Sequence, residues 1–281
     1  MEVNHINENN PNLTMLMEQY KNKFTKSEQK LYNYIHENFE QIIYQSLTEI
    51  ANACNVGEAT VLRFCRKLGY KGYQEFKLAL ARELSTREKN GHDETYIDKV
   101  KNNMIQAVDD TYKLVDDDLL QEAITKIYNA KEVVVYGVSS SGIAGLDMQN
   151  RLMRIGINIE TITDSHNQVI RSNSANSETV IIAISLTGST KDIIDAVKTG
   201  KNNDATVIAI TNYMESPLTS YADIVLLTSA KENPLDSGSL VSKVSQLFVI
   251  DLLCTGITMK NYKKAKQTKE RVAQTISDKL Y

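Results

Sequence analysis

The 281-residue chain has no tryptophan, only three prolines and only three cysteines. Cys54, Cys65 and Cys254 are scattered and odd in number, and no two form a Cys-x-x-Cys pair. Neither a disulfide framework nor a zinc knuckle is therefore expected. Long apolar runs are also lacking. Val180-Ile181-Ile182-Ala183-Ile184 is typical of the longest, far from the roughly 20 residues of a membrane span. The stretch Met1 to Asn10 lacks the basic-then-apolar pattern of a secretory signal, so a cytoplasmic address with no membrane partner is expected. Neither sign of charge dominates: 32 Lys/Arg face 35 Asp/Glu, for a net of −3. With 42% apolar residues, that balance excludes a wholly disordered chain, and the length calls for one large or two modest domains.

From Leu13 to Leu84 the pattern is helical. A helix beginning at Ser27 puts Leu31, Tyr34 and Ile35 on one face. Ser46 to Cys54 forms a short helix with Leu47, Ile50 and Ala51 inward. The turn Asn55-Val56-Gly57 leads into a second helix, Glu58 to Leu68, stopped by Gly69. Gly72-Tyr73 opens another. The polar stretch from Ser85 to Glu94 reads as a linker, with long helical segments after it at about 95–115 and 118–128. Five apolar runs follow, Glu132–Tyr136, Ile157–Ile162, Thr179–Ile184, Ala205–Ile210 and Ile224–Leu227, separated by helical patterns such as Lys191–Lys201. Apolar strands alternating with helices imply a parallel sheet buried on both faces. The expected fold is thus α + α/β. Residues 1–84 form an all-α helix-turn-helix bundle, 85–94 the linker, and 95–281 a doubly wound parallel α/β sheet.

Two short helices joined by a tight turn fit helix-turn-helix geometry, in which the second helix enters the major groove. Glu58, Ala59, Thr60 and the outward Arg63 then lie within reach of base edges or phosphates, while Val61, Leu62, Phe64 and Leu68 pack inward. Between Thr60 and Arg82 the basic residues Arg63, Arg66, Lys67, Lys71, Lys77 and Arg82 face a single Glu75. Such a patch suits a duplex-binding face, although charge alone fits a solvated helix face as well. Cys65 reads as a small core hydrophobe. Tyr70 and Tyr73 are candidates either for phosphate contact or for core packing.

Two loops stand out in the second half: Gly137-Val138-Ser139-Ser140-Ser141-Gly142 and Ser185-Leu186-Thr187-Gly188-Ser189-Thr190. Each follows a strand and opens a helix, where open α/β sheets bind ligands. Hydroxyls and free backbone N–H groups at a helix N-terminus suit a phosphate. One such loop would be explained by helix capping alone; two in one sheet point to a ligand. Neither loop carries the Gly-Lys-Ser/Thr of a nucleotide P-loop or a Gly-x-Gly-x-x-Gly, so dinucleotides are disfavoured.

The residues also carry a family resemblance. Ser46-Leu47-Thr48-Glu49-Ile50-Ala51, then Val56 through Tyr73, and Phe76 through Leu80 resemble the N-terminal domain of RpiR-family bacterial transcription regulators. One departure is Gly57, where that family usually has Ser. Ile184 through Asp192 resembles the phosphate loop of the sugar isomerase (SIS) fold, the phosphosugar-binding half of those regulators, with Thr187 in place of a Ser. Ser140 and Ser141 match the family's paired serines, while Ser139 stands where Gly is common. Ile210-Thr211-Asn212, Ser216-Pro217-Leu218 and Ala222-Asp223 also resemble the fold. The resemblance implies a DNA contact set of Glu58, Ala59, Thr60, Arg63, Arg66, Lys67, Lys71 and Tyr73. It implies a phosphosugar set of Ser140, Ser141, Ser185, Thr187, Gly188, Ser189 and Thr190, with His166 and Glu232 as candidates beside them, the alternatives being a structural role for His166 and a surface charge for Glu232. Asp236 replaces a residue that is basic in many members.

The function expected is a regulator of carbohydrate metabolism. Its partners are a double-stranded DNA operator and a phosphorylated sugar effector, and it acts as a homodimer or homotetramer because one recognition helix reads only a few base pairs. The helix from Gln246 to Thr258 offers apolar area for such pairing. No catalytic residue, metal or cofactor is assigned. The alternative, a phosphosugar aldose–ketose isomerase, would draw its base from Glu232 or His166 and leaves residues 24–84 without a role. A bare scaffold would leave both hydroxyl loops unexplained.

Overall fold

The computed structural model describes residues 13–87, 95–230 and 240–277, with side chains of 85–87 excepted. They fall into two compact units, one on each side of residues 88–94.

The first unit is helical: α1 (Leu13–Tyr20), α2 (Lys26–Glu37), α3 (Phe39–Ile42), α4 (Leu47–Ala53), α5 (Glu58–Lys67) and α6 (Tyr73–Arg87). Capping explains the boundaries. Thr25 with Glu28, and Ser46 with Glu49, form reciprocal capping boxes that start α2 and α4. The helix expected from Ser27 therefore begins one residue earlier, and Tyr32 joins Leu31 and Ile35 in its buried set. Gly57 caps α5 without a side-chain bond. Gly69, at φ +92°, stops that helix in the left-handed region that favours glycine. The core gathers Leu31, Ile35, Ile50, Phe64, Phe76 and Leu80. Phe64 meets Phe76 edge-on with ring centroids 6.2 Å apart. Replacing a fully buried Phe such as Phe64 by Ala would cost about 3–5 kcal/mol. Helix α6 runs to Arg87, three residues into the stretch read as linker.

The second unit opens with α7 (Tyr96–Lys113) and α8 (Asp117–Asn129), capped by Thr95 and Asp116. Then come β1 (Glu132–Tyr136), α9 (Ser139–Met153), β2 (Ile159–Ile162), α10 (Ser165–Asn173), β3 (Thr179–Ile184), α11 (Lys191–Asn202), β4 (Thr206–Thr211) and β5 (Ile224–Leu227). Two long helices, α12 (Leu240–Lys260) and α13 (Tyr262–Ser277), follow. All strand pairs are parallel, in the order β2-β1-β3-β4-β5. Every residue of β3 is buried, as a strand covered on both faces requires. Alternate side chains sort into two layers. Val135, Ile182 and Ile208 pack with α8, α9 and α12, while Val134, Ile181 and Val207 pack with α11.

Helix α12 is long and apolar enough to span a membrane by length and composition. Val249, Ile250, Leu253, Cys254 and Ile257 instead bury themselves in the sheet-side core, the role of a central helix in a packed domain.

Candidate functional site

On the first unit, α4, the turn and α5 form the helix-turn-helix. Ala59, Arg63 and Arg66 project into solvent from α5, and Arg63 Nη2 donates to Thr60 Oγ1 at 3.1 Å. Glu58 is partly occupied: its carboxylate accepts from Thr48 Oγ1 at 2.5 Å, tying the start of α5 to α4. Lys71 is exposed.

Three members of the expected basic and aromatic set serve the fold instead. Tyr73 is buried, and its hydroxyl donates to the carbonyl of Gln45 at 3.2 Å. It is therefore a core residue and not a phosphate contact. Lys67 places its ammonium 2.5 Å from the Glu28 carboxylate and 3.1 Å from the Lys23 carbonyl, joining α5 to α2. A duplex would have to break that ion pair to use it. Lys77 is 4% exposed and donates to the Gln45 carbonyl at 2.9 Å. Burial pulls its ammonium down to about 8. Of the six cations between Thr60 and Arg82, Arg63, Arg66, Lys71 and Arg82 are left on the surface. Cys65 is core as read, its thiol pushed up to about 12 by burial.

On the second unit the topology fixes where a ligand can sit. From β1 the chain moves outward to β2; from β3 it moves the other way, to β4 and β5. Adjacent strands whose connections diverge leave a crevice at their carboxyl ends. Both hydroxyl-rich loops flank that crevice, because β1 pairs directly with β3.

Neither loop spends its hydroxyls on helix capping. Helices α2, α4, α7, α8 and α10 each carry a side-chain cap, the last from Asp164. The starts of α9 and α11 carry none. The N–H groups of their first turns thus point at the crevice edge without a side-chain acceptor, where the helix dipole favours an anion. Around them, Ser185 Oγ and Thr190 Oγ1 lie 3.2 Å apart, and Thr187 Oγ1 accepts from Ser189 N–H at 3.2 Å. Ser140 and Ser141 are half-buried in the first turn of α9.

The backbone is held from behind. Gly188 sits at φ +58°, and a Cβ there would lie 2.6 Å from the Ser216 Cβ. Its carbonyl accepts from Leu218 N–H at 2.9 Å. Ser139 adopts φ +52° with a side chain present, in the region where glycine is favoured.

His166 lies exposed in the first turn of α10. Its helix is tied to the β1–α9 loop through Gln168, a buried residue whose Nε2 donates to the carbonyls of Ile162 at 2.8 Å and Gly137 at 3.4 Å. Glu232 and Asp236 lie outside the described residues.

Two further features escaped sequence reasoning. Gln246, 2% exposed on α12, donates to Ser141 Oγ at 3.1 Å and reaches the β1–α9 loop from the long core helix. Ser242 and Ser245 are buried on the same face, so three polar residues at helical spacing mark it. The second feature is a buried chain of hydrogen bonds. Asn212 N–H donates to the Leu186 carbonyl at 3.0 Å, and its side chain joins Thr228 Oγ1 and the Ala230 carbonyl. Ser229 N–H in turn donates to Thr111 Oγ1 on α7 at 2.9 Å. The loop after β3 is thereby wired to the first helix of the unit through Thr111, Thr211 and Thr228, all fully buried.

A chain that combines a helix-turn-helix unit with an open α/β unit bearing an anion-suited crevice defines a class of ligand-responsive DNA-binding protein. Known proteins agree with that class. Residues 11–87 match the model of the helix-turn-helix domain of the rpiR family, and residues 126–256 match that of the SIS domain. An HTH-type transcriptional regulator of Clostridium perfringens is 36% identical, the alignment covering 93% of this chain and 98% of that one. The HTH-type transcriptional regulator HexR of Escherichia coli is 28% identical over 92% of this chain and 91% of its own. The structure of the Vibrio vulnificus NanR protein complexed with ManNAc-6P superimposes with a TM-score of 0.89 at 29% identity, covering 96% of this chain and 99% of that one. The chain belongs to the RpiR family of HTH-type transcriptional regulators, with a C-terminal SIS domain.

Proposed function

We propose that this regulator reads its operator with α5 and senses a phosphorylated sugar in the crevice between the loops after β1 and β3. Ser185, Thr187, Ser189 and Thr190 hold the phosphate together with backbone N–H groups near Gly188 and those opening α11. Ser140 and Ser141 approach it from α9, and His166 and Glu232 are assigned to the sugar. Arg63, Thr60 and Ala59 face the base edges, with Glu58, Arg66 and Lys71 beside them. The protein works in the cytoplasm as a homo-oligomer of two or four copies on a two-fold repeated site. It regulates carbohydrate metabolism and turns over no substrate.

One observation carries the reading: two uncapped helix N-termini converge on one switch-point crevice, while α7, α8, α10 and α13 of the same unit are capped by side chains. The NanR complex supports it, since a protein of the same overall fold was solved with a phosphosugar. The isomerase reading assigns no task to residues 13–87.

Thermal unfolding against a panel of phosphosugars, ManNAc-6P included, tests the proposal. A ligand selective for the folded state raises the midpoint by mass action, about 2.7 kcal/mol at one hundred times its Kd. The matching sugars without phosphate should leave the midpoint unchanged. Equal shifts by both would contradict the phosphate loop, and conversion of an aldose phosphate to a ketose phosphate would favour the enzyme.

A further inference from the structure

Helix α13 has no part in the crevice or in the helix-turn-helix. Its segment is the most basic stretch of the chain: Lys260, Lys263, Lys264, Lys266, Lys269 and Arg271 stand against one acidic residue, Glu270. Ala265 is the only residue of α13 that is buried. Lys263, Lys264, Lys266, Lys269 and Arg271 are all exposed. Lys263, Gln267 and Arg271 follow one another at four-residue spacing, so they line one side of the helix, with Lys264 beside them. The ion pair recorded on this helix, Lys266 to Glu270, is long at 4.0 Å.

The placement of these charges does nothing for the helix itself. The first turn of α13 has no acidic residue and holds Lys263 and Lys264, where the helix dipole disfavours cations. Five cations are thus held together on a solvent-facing helix against their own repulsion, two of them also against the dipole. Meanwhile Lys67 and Lys77, which the sequence offers to a duplex, are committed to Glu28 and to the Gln45 carbonyl. A chain with a net charge of −3 needs local cations to approach DNA, which carries one negative charge per about 1.7 Å.

We infer that the exposed face of α13 is a second, sequence-independent duplex-binding surface, with Lys263, Lys264 and Arg271 contacting backbone phosphates. The competing occupant is an acidic surface on a second copy, which salt titration and light scattering separate from DNA. Of the acidic groups on and before α7 and α8, Asp98 pairs with Lys101, Asp110 with Lys113, and Asp116 caps α8, while Asp109, Asp117, Asp118 and Glu122 stay exposed. The side of α13 that carries Lys263, Gln267 and Arg271 offers little apolar area to anchor a protein partner; the exposed Tyr262 and Ile276 lie on the opposite side of the helix.

The test uses the full chain and a mixed-sequence duplex of about 30 base pairs, titrated at several salt concentrations. The variant is Lys263→Gln/Lys264→Gln/Arg271→Gln, with Lys263→Arg/Lys264→Arg as the charge-preserving control. Each lost phosphate contact should reduce the slope of log K against log salt by about 0.9, so the triple variant should lose roughly 2 to 3. Its affinity at low salt should fall at least about tenfold, and the control should match the wild type. A wild-type slope and affinity in the triple variant would overturn the inference. So would an unchanged slope with a smaller mass by light scattering, which would place a second copy on α13. Arg63→Ala on the same duplex separates the failures. If it weakens binding and the triple variant does not, the regulator reading stands and this one falls; if the wild type binds no duplex, both fall.

Discussion

The two left-handed positions in the crevice loops should respond to substitution with opposite signs. At Gly188, φ +58°, a methyl group would fall against the Ser216 side chain and 3.2 Å from Thr211 Oγ1. The left-handed backbone costs an L-residue roughly 1–2 kcal/mol, and overpacking a tight site adds about 1–3 kcal/mol. Gly188→Ala should therefore destabilise the second unit by roughly 2–5 kcal/mol. For a unit of this size that lowers the melting midpoint by roughly 5–15 °C. Ser139, at φ +52°, already bears that backbone strain. Ser139→Gly removes about 1 kcal/mol of it, and the greater freedom of glycine in the unfolded chain takes back roughly 0.5–1 kcal/mol. The net should lie between neutral and a gain of up to about 1 kcal/mol. Urea unfolding followed by circular dichroism measures both, the change appearing in the midpoint at constant slope. A Gly188→Ala protein within about 0.5 kcal/mol of wild type, binding phosphosugar normally, would refute the loop conformation and with it the geometry of the phosphate site.

Other parts of the structure give predictions of their own. Arg63→Ala should weaken operator binding by about 1–3 kcal/mol in a gel-shift titration if the side chain pairs with a guanine edge, and should leave phosphosugar affinity unchanged. Thr111→Val removes the hydroxyl that accepts from Ser229 N–H; it should cost about 1–3 kcal/mol of stability and reduce the effect of phosphosugar on operator affinity more than it reduces phosphosugar binding itself. Lys77 has a folded-state value near 8, below the ordinary 10.5, so between those values the unfolded chain holds a proton that the folded one has lost. Its burial penalty is fully present below pH 8 and fades as pH rises toward 10.5, so Lys77→Met should gain most, relative to wild type, near neutral pH, with the gap shrinking as pH rises. Cys54 and Cys65 act in the opposite direction above pH 9, because burial raises their thiols to about 11 and 12, so the comparison must be made between the two proteins at each pH.

The strands could be read because a sheet buried on both faces writes itself as short β-branched runs. Thr179–Ile184 and Ile224–Leu227 match the structure residue for residue. The strand expected from Ile157 begins at Ile159, where pairing with Val133 starts, which no periodicity reveals. The helix-turn-helix was legible for a similar reason: Ser46 with Glu49 and the stop at Gly69 are local signals. Lys67, Tyr73 and Lys77 find partners 28 to 39 residues away, and residue type alone does not say whether a cation faces Glu28 or a phosphate. Gln246 was readable in principle. Polar residues at 242, 245 and 246 share the helix face of Val249 and Leu253, and a polar cluster on a core face needs a partner.

The central claim is that one crevice binds the phosphate and that its occupancy changes DNA binding. Calorimetric titration of Ser185→Ala/Thr190→Ala, run beside operator binding with and without phosphosugar, tests it most directly. Each lost hydrogen bond to a charged group is worth roughly 1.5–3 kcal/mol, so the double variant should bind the sugar at least about a hundredfold more weakly. Its operator affinity without ligand should equal that of the wild type, and added phosphosugar should no longer alter it, because a ligand acts only through its differential affinity for two states. A double variant that binds the phosphosugar and responds to it as the wild type does would contradict the account.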